Sequence, residues 1–217
     1  TIKEKMTQDQ FVSHLVHSEW DNRKNRAVER AVRSAQFRYN ATLDDVDYTF
    51  ERGLDRNQVE RLAAMEFVRD QIRHSWDYRQ NPVTCRASDV LRHGTGYCYA
   101  KSHLLAALLR ANGVPTGLCY QRLSVGDTGG PYCLHGLNAV WLDDLGWFRI
   151  DARGNKPGVD AQFEPPVERL AFAIREPAER DLPEIWAEPL PCVVHVLESQ
   201  PDVAAVLRNL PDVPLIG

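Results

Sequence analysis

The chain has 217 residues, which is enough for one large domain or for a main domain with an appendage. With 43% hydrophobic and 26% charged residues it can form a core of ordinary size, which argues against global disorder. The net charge of −4 gives no reason to expect the whole chain to bind nucleic acid or an anionic membrane. No stretch approaches the ~18 consecutive apolar residues of a membrane helix, and the first residues lack the apolar core of a signal peptide.

The cysteines lie at positions 85, 98, 119, 133 and 192, an odd number with no C-x-x-C pair. This usage suits reduced thiols in a cytosol better than a disulfide framework or a zinc site. We therefore expect a cytoplasmic protein that needs no metal and no other cofactor.

The first predicted element is a helix over residues 8–37, in which apolar residues recur at helical spacing. Another face of this helix carries four arginines, Arg23, Arg26, Arg30 and Arg33. Two interpretations stay open, a solvated charged face or a stripe that contacts the phosphates of DNA. Residues 1–63 contain as many acidic as basic residues, so the segment as a whole is neutral.

Four short segments, residues 19–26, 35–38, 41–48 and 52–56, resemble the N-terminal helical region of the IstB-type transposition-helper ATPases in order and spacing. In that family the region precedes an ATPase domain. This sequence contains no G-x-x-x-x-G-K-[ST] loop, so no nucleotide-binding role transfers. The resemblance implies a small helical module over residues 1–63, for self-association or DNA contact. A natural and an engineered fusion of that module are both compatible with the sequence.

The remaining elements follow from a change of periodicity along the chain. The predicted elements are helices over 55–74 and 87–91, a helix that starts at Cys98 and stops before Asn112-Gly113, and strands over 117–123, 134–142 and 147–151. Short turns between adjacent strands favour antiparallel pairing. Seven prolines between 157 and 191 break regular structure. The apolar run 193–197 is a strand or a helix, and the run 203–207 is a helix.

Cys98 lies where a glycine-rich approach runs into the apolar helix. The free backbone N–H groups and the positive dipole end of a helix N-terminus favour a thiolate. The alternative is that Cys98 is one more small buried residue on an apolar helix. His135 opens the strand 134–142 and Asp151 closes the strand 147–151, so a hairpin would place both on one face. An imidazole beside a carboxylate is the partner that a nucleophilic cysteine requires.

Three motifs carry a second resemblance: residues 96–102 with the following Leu-Leu-Arg-Ala-Asn-Gly-Val-Pro, residues 134–141, and residues 147–152. They are similar, in the right order, to the transglutaminase-like superfamily of papain-like cysteine enzymes, over roughly residues 64–155. The resemblance implies an α+β fold, in which the nucleophile helix packs on an antiparallel sheet, as a catalytic domain over residues 64–217. It also implies Cys98 as nucleophile, His135 as general base and acid, and Asp151 as orienting carboxylate.

The predicted reaction is acyl transfer from a peptide or protein amide through a thioester, completed by water or by an amine. The oxyanion needs hydrogen-bond donors, and the backbone N–H of Cys98 is one candidate. Trp76 and Tyr97 are candidates near the site, although a core tryptophan is the commoner case, and Arg92 stands where a papain-type site has glutamine. Cys133 shares a strand face with His135 and either lines the site, forms a disulfide with Cys98, or simply packs.

Two other functions stay open at this point. A non-catalytic module would use the same cleft to bind a peptide, although it would not need all three of Cys98, His135 and Asp151. A DNA-associated assembly protein would act through residues 1–63. The sequence does not distinguish hydrolysis from transamidation.

Overall fold

The computed structural model of the protein describes residues 63–126 and 129–213. The predicted helix over 8–37, its four arginines and the first part of the predicted helix over 55–74 lie outside the described residues.

The described elements are β1 Arg73–His74, α1 Ala87–His93, β2 Thr95–Gly96, α2 Cys98–Ala111, β3 Thr116–Ser124, β4 Tyr132–Leu142, β5 Gly146–Ile150, β6 Gln162–Glu164, β7 Val167–Arg169, β8 Arg180–Asp181, α3 Pro191–Ser199 and α4 Val203–Arg208. A π-helical turn, Phe67–Gln71, precedes β1. β3, β4 and β5 pair antiparallel in one four-stranded sheet, which β8 completes at the other edge in the order β5-β4-β3-β8. Helix α2 packs on this sheet, which confirms the predicted α+β fold class.

The helix predicted to reach residue 74 ends earlier, at the π-helical turn. Ile72 is extended, and the N–H groups of Arg73 and Ser75 donate to the carbonyls of Gly94 and Gly96 at 2.9 and 3.0 Å. These bonds form the short parallel ladder between β1 and β2. The ladder therefore holds β1 against the glycine-rich segment that leads into Cys98.

The two faces of β4 serve different parts of the core. Leu134, Gly136 and Asn138 face α2, where the Asn138 side-chain amide donates to the Ser102 carbonyl at 3.0 Å. The alternate residues face the other side of the sheet, where Leu137 and Ala139 form a small second cluster with Cys119. His135 alternates with Leu134 and Gly136 and so belongs to this second face.

The region after β5 differs most from the prediction. The prolines do break it into short elements, but β6 and β7 form a hairpin and β8 adds to the edge of the main sheet. The run 193–197 lies in helix α3, and the run 203–207 lies in α4 as predicted. The chain then returns to the sheet, where the Leu134 N–H donates to the Pro211 carbonyl at 2.7 Å. Across residues 63–126 and 129–213, no helix is long and apolar enough to cross a membrane.

Gly136 allows α2 to approach the sheet closely. A Cβ at this position would lie 3.0 Å from the Cα and from the Cδ1 of Tyr99, one residue after Cys98. We therefore expect Gly136→Ala to move the start of α2 and to lower the free energy of unfolding by about 1–3 kcal/mol in urea denaturation. Gly126→Ala is the control, because a Cβ there meets no atom within 4 Å. Equal stability of the two variants would contradict this account.

Candidate active site

Cys98 is the first residue of α2, as the sequence predicts. Tyr97 precedes it as the N-cap in an extended conformation and without a capping side chain. The Lys101 N–H donates to the Tyr97 carbonyl at 2.9 Å, and the Ser102 hydroxyl donates to the Cys98 carbonyl at 2.9 Å. The first turn of an α-helix leaves its backbone N–H groups without intrahelical acceptors. Their partial positive charge therefore lies at the Cys98 thiol.

His135 and Asp151 meet on one face of the sheet. The antiparallel register that pairs Asn138 with Ile150 brings the two side chains together across β4 and the end of β5. His135 Nε2 lies 2.8 Å from Asp151 Oδ2, and both side chains are almost completely buried. The carboxylate is held at both oxygens, because Oδ1 accepts the N–H of Arg153 and Oδ2 accepts the N–H of Ala171, each at 3.0 Å.

The pair is charged at neutral pH. Burial lowers the pKa of His135, but the charge of Asp151, the charge of Cys98 and hydrogen bonds to both side chains outweigh burial and raise this pKa to about 10. Burial raises the pKa of Asp151, but the charge and hydrogen bond of His135 outweigh burial and lower this pKa below its ordinary value. Since Asp151 occupies Nε2, Nδ1 is the ring nitrogen left for the Cys98 thiol.

The proline-rich region after β5 covers the His135–Asp151 pair. The Phe172 ring meets the His135 ring edge-on, with centroids 5.0 Å apart and planes at 85°. The side-chain amide of Gln121, which lies opposite His135 in the β3–β4 register, donates to the Phe172 carbonyl at 3.3 Å. Sequence reasoning missed Ala171 and Phe172, because the segment shows no periodicity that would direct it back to β4.

The other sequence candidates have structural contacts of their own. The Tyr97 hydroxyl donates to the Val203 carbonyl at 2.6 Å, so this side chain anchors α4. Trp76 is half-buried, and the Arg79 guanidinium lies over its ring. Cys133 shares the strand face of His135, and burial, followed by the charge of Cys98, raises the pKa of Cys133 to about 12. All five cysteines are free, so no Cys98–Cys133 disulfide is formed. Arg92 is exposed and pairs with Asp89 at 3.6 Å.

A buried lysine behind Cys98 was also missed. Lys101 lies one turn along α2, and its Nζ donates to the carbonyls of Arg69 and Ile72 at 3.1 and 2.5 Å. Burial, followed by the charge of Arg153, lowers the pKa of Lys101 to about 7. The available sequence signal is a charged residue in the first turn of an otherwise apolar helix segment. Within the described ranges, no group of three or more His, Cys, Asp or Glu residues could hold a metal ion.

The structure has the arrangement that the transglutaminase-like resemblance implies, a helix that begins at a cysteine and packs on an antiparallel sheet. The model of the Transglutaminase-like superfamily matches residues 48–152, and the model of the IstB-like ATP binding protein matches residues 1–73. These matches confirm both family resemblances stated from the sequence. They overlap over 48–73, where the predicted domain boundary lies.

Two curated relatives match part of the chain. A Pseudomonas aeruginosa protein named for an ATP-binding function in insertion sequence IS21 is 32% identical over 66 residues, which cover 30% of this chain and 25% of the relative. A Sinorhizobium fredii protein, y4pL, named as an insertion sequence ATP-binding protein, is 32% identical over 87 residues, covering 40% of this chain and 32% of the relative. The chain thus spans only a quarter to a third of the length of these relatives.

A solved structure shows a partial likeness to this chain. It is a crystal structure that carries the name of a cysteine protease from Cytophaga hutchinsonii, with 16% sequence identity and a TM-score of 0.33. The likeness covers 55% of this chain and 47% of the other.

Proposed function

We propose that residues 64–217 form a cysteine-dependent acyl-transfer enzyme that acts on peptide or protein amides. Cys98 is the nucleophile, His135 the general base and acid, and Asp151 the orienting carboxylate. The observation that carries the proposal is the buried contact of 2.8 Å between the His135 imidazole and the Asp151 carboxylate, together with the charge and hydrogen bond of Cys98 that raise the pKa of the same imidazole. The transglutaminase-like match over 48–152 supports it, because it includes all three residues.

The first half-reaction forms the thioester. The Cys98 thiolate attacks the amide carbonyl carbon, and the carbonyl π electrons move onto oxygen to give a tetrahedral oxyanion. The oxyanion collapses, the C–N bond breaks, and the protonated imidazole of His135 gives its proton to the leaving amine. Asp151 fixes the ring orientation and stabilises the imidazolium until that transfer.

The second half-reaction releases the acyl group. Neutral His135 takes a proton from water or from an incoming amine, whose lone pair attacks the thioester carbonyl. Collapse breaks the C–S bond and returns the thiolate, so water gives a carboxylic acid and an amine gives a new amide. The backbone N–H of Cys98, at the first turn of α2, is a donor to both oxyanions.

Thiol reactivity tests the proposal without a known substrate. We expect iodoacetamide at pH 6–7 to alkylate Cys98 about 100-fold faster than the other four cysteines, because only Cys98 joins a helix N-terminus to an imidazole. Burial raises the pKa of Cys85 and Cys119 to about 11 and that of Cys133 to about 12, and it also raises the pKa of Cys192. Mass spectrometry of tryptic peptides after timed quenching gives each rate.

His135→Ala supplies the comparison for that experiment, because it keeps Cys98 on its helix and removes the imidazole. The variant should label Cys98 at the rate of an ordinary thiol. If wild-type Cys98 already reacts no faster than a free thiol, the enzymatic proposal is wrong, and a peptide-binding cleft becomes the better explanation.

We propose a second function for residues 1–63, contact with DNA or self-association. The IstB-like match over 1–73 favours it, and both curated relatives carry insertion-sequence names. The domain boundary near 63/64 separates this function from the acyl-transfer chemistry.

DNA binding of the whole chain tests this second proposal. Fluorescence anisotropy with duplex DNA should show binding at low salt that weakens as salt rises, since phosphate contacts release counterions. Replacement of Arg23, Arg26, Arg30 and Arg33 by Glu should abolish it, whereas Lys3→Glu with Lys5→Glu, outside the stripe, should weaken it much less. Absence of binding at low salt removes DNA contact, and sedimentation of the same samples measures self-association.

A further inference from the structure

A second group of charged residues lies beside the candidate active site and takes no part in the proposed acyl transfer. Asp77 pairs with two basic side chains: its Oδ1 accepts hydrogen bonds from Lys156 Nζ at 2.7 Å and from Arg153 Nη2 at 3.3 Å, and its Oδ2 lies 2.8 Å from Arg153 Nη1. His74 Nδ1 lies 3.6 Å from the same Oδ2. We call His74, Asp77, Arg153 and Lys156 the Asp77 cluster.

The Asp77 cluster joins the two segments that carry the nucleophile and the carboxylate. On one side, His74 pairs with Gly96 in the β1–β2 ladder, two residues before Cys98. Its ring also meets the Tyr97 ring at 5.4 Å. On the other side, the backbone N–H of Arg153 donates to Asp151 Oδ1. The ion pair between Asp77 and Arg153 therefore spans 76 positions of sequence to connect these segments.

The Asp77 cluster also touches the cover over His135. The Arg153 guanidinium lies 5.3 Å from the centroid of the Phe172 ring, and that ring packs edge-on against His135. A continuous path of contacts thus runs from Asp77 through Arg153 and Phe172 to the imidazole.

We propose that Asp77 is a positioning residue of the candidate active site, which holds Arg153 in place beside Asp151 and balances its charge next to the Cys98–His135 pair. This inference rests on the proposed function, because it assigns a role in setting the protonation of that pair.

The charges around the Cys98–His135 pair determine the direction in which its protonation should change when the Asp77 charge is removed. The titratable or charged groups are Cys98 and Lys101 on α2, Cys133 on β4, Asp151 and Arg153 after β5, His74 in β1, and Asp77 after β1. Burial, followed by the charge of Arg153, lowers the pKa of His74 well below its ordinary value, so His74 is neutral near pH 7. Burial raises the pKa of Asp77, but hydrogen bonds from Lys156 and Arg153 outweigh burial and lower it, so Asp77 is ionised.

Removal of the negative charge of Asp77 leaves the positive charges of Arg153 and Lys156 without their counter-charge. The more positive potential favours loss of a proton from both members of the Cys98–His135 pair. Both inflections in the pH dependence of Cys98 alkylation should therefore move to lower pH, by about 0.5–1 pH unit. Damage to the fold alone would lower the rate without moving both inflections in one direction.

The experiment measures iodoacetamide alkylation of Cys98 in the full chain between pH 4 and 11. Asp77→Asn should move both inflections down, and Asp77→Glu should restore them. Arg153→Met should move them up, because it removes a positive charge. The double variant, Asp77→Asn with Arg153→Met, keeps the net charge of the wild-type Asp77 cluster. Its pH dependence of Cys98 alkylation should therefore be close to that of the wild type. Arg153→Met keeps the inference testable if Asp77→Asn fails to fold.

Glu164→Gln is the control, because it removes a carboxylate from an exposed ion pair with Arg169 on the β6–β7 hairpin. It should leave the profile in place. If the wild type shows a low-pH inflection and neither Asp77→Asn nor Arg153→Met moves it, the positioning role is wrong while the proposed function stands. If the wild type shows no such inflection, both are overturned.

Discussion

Cys98→Ala is expected to abolish turnover of peptide amides, with a loss of about 10⁴-fold or more. Without sulfur no thioester can form, and His135 alone has no nucleophile to activate. The fold should survive, because the change removes one atom from a side chain at the start of α2, where Ala has the best helix propensity. Wild type and variant are incubated with a complex peptide mixture, with and without an added primary amine, and compared by mass spectrometry.

The products of that comparison also distinguish the two half-reactions. Peptides cut or converted to acids only by the wild type indicate that water resolves the thioester. Peptides that gain the added amine indicate transamidation. Cys85→Ala is the control, because it removes a half-buried thiol whose pKa burial raises to about 11, and it should behave as the wild type. Equal product formation by Cys98→Ala and the wild type would contradict a covalent mechanism through this sulfur.

Local sequence patterns predict much of this site. The apolar periodicity after the glycine-rich approach places the start of α2 at Cys98. The short turn before Gly146 makes β4 and β5 a hairpin, and its register puts His135 and Asp151 on one face. These relations depend on neighbours within about 20 residues, for which period and turn chemistry are informative.

The missing parts of the site depend on contacts between distant segments. Ala171 and Phe172 return to the site from an irregular segment, and the Asp77–Arg153 ion pair links residues far apart in sequence. β8 is only two residues long, too short for a periodicity to predict it. The helix predicted to reach residue 74 ends at Gln71 because the N–H groups of Arg73 and Ser75 bond to the β2 segment instead. Local propensity carries no information about such a competing partner.

Asp151→Asn is expected to lower the rate of acyl transfer by about 10³–10⁴-fold and to change how stability depends on pH. The amide can still accept from His135, but it no longer carries the charge that stabilises the imidazolium. In the folded wild type the pKa of His135 is raised from 6.5 to about 10. The stabilisation from this shift is therefore complete below pH 6.5 and is lost as pH rises towards 10.

The variant should lose this pH-dependent stabilisation. It should also lose one buried hydrogen bond, because the Asp151 oxygens together accept the N–H groups of Arg153 and Ala171. An amide nitrogen would face one of those donors, at a cost of about 1–3 kcal/mol at every pH. Urea unfolding at a series of pH values separates the two contributions. The difference between wild type and variant should be largest between about pH 4.5 and 6.5, and should shrink towards pH 10 to the cost of the lost hydrogen bond. A difference that stays constant from pH 5 to 10 would mean that His135 is not held as an imidazolium by Asp151, and the base assigned to Cys98 would have to be sought elsewhere.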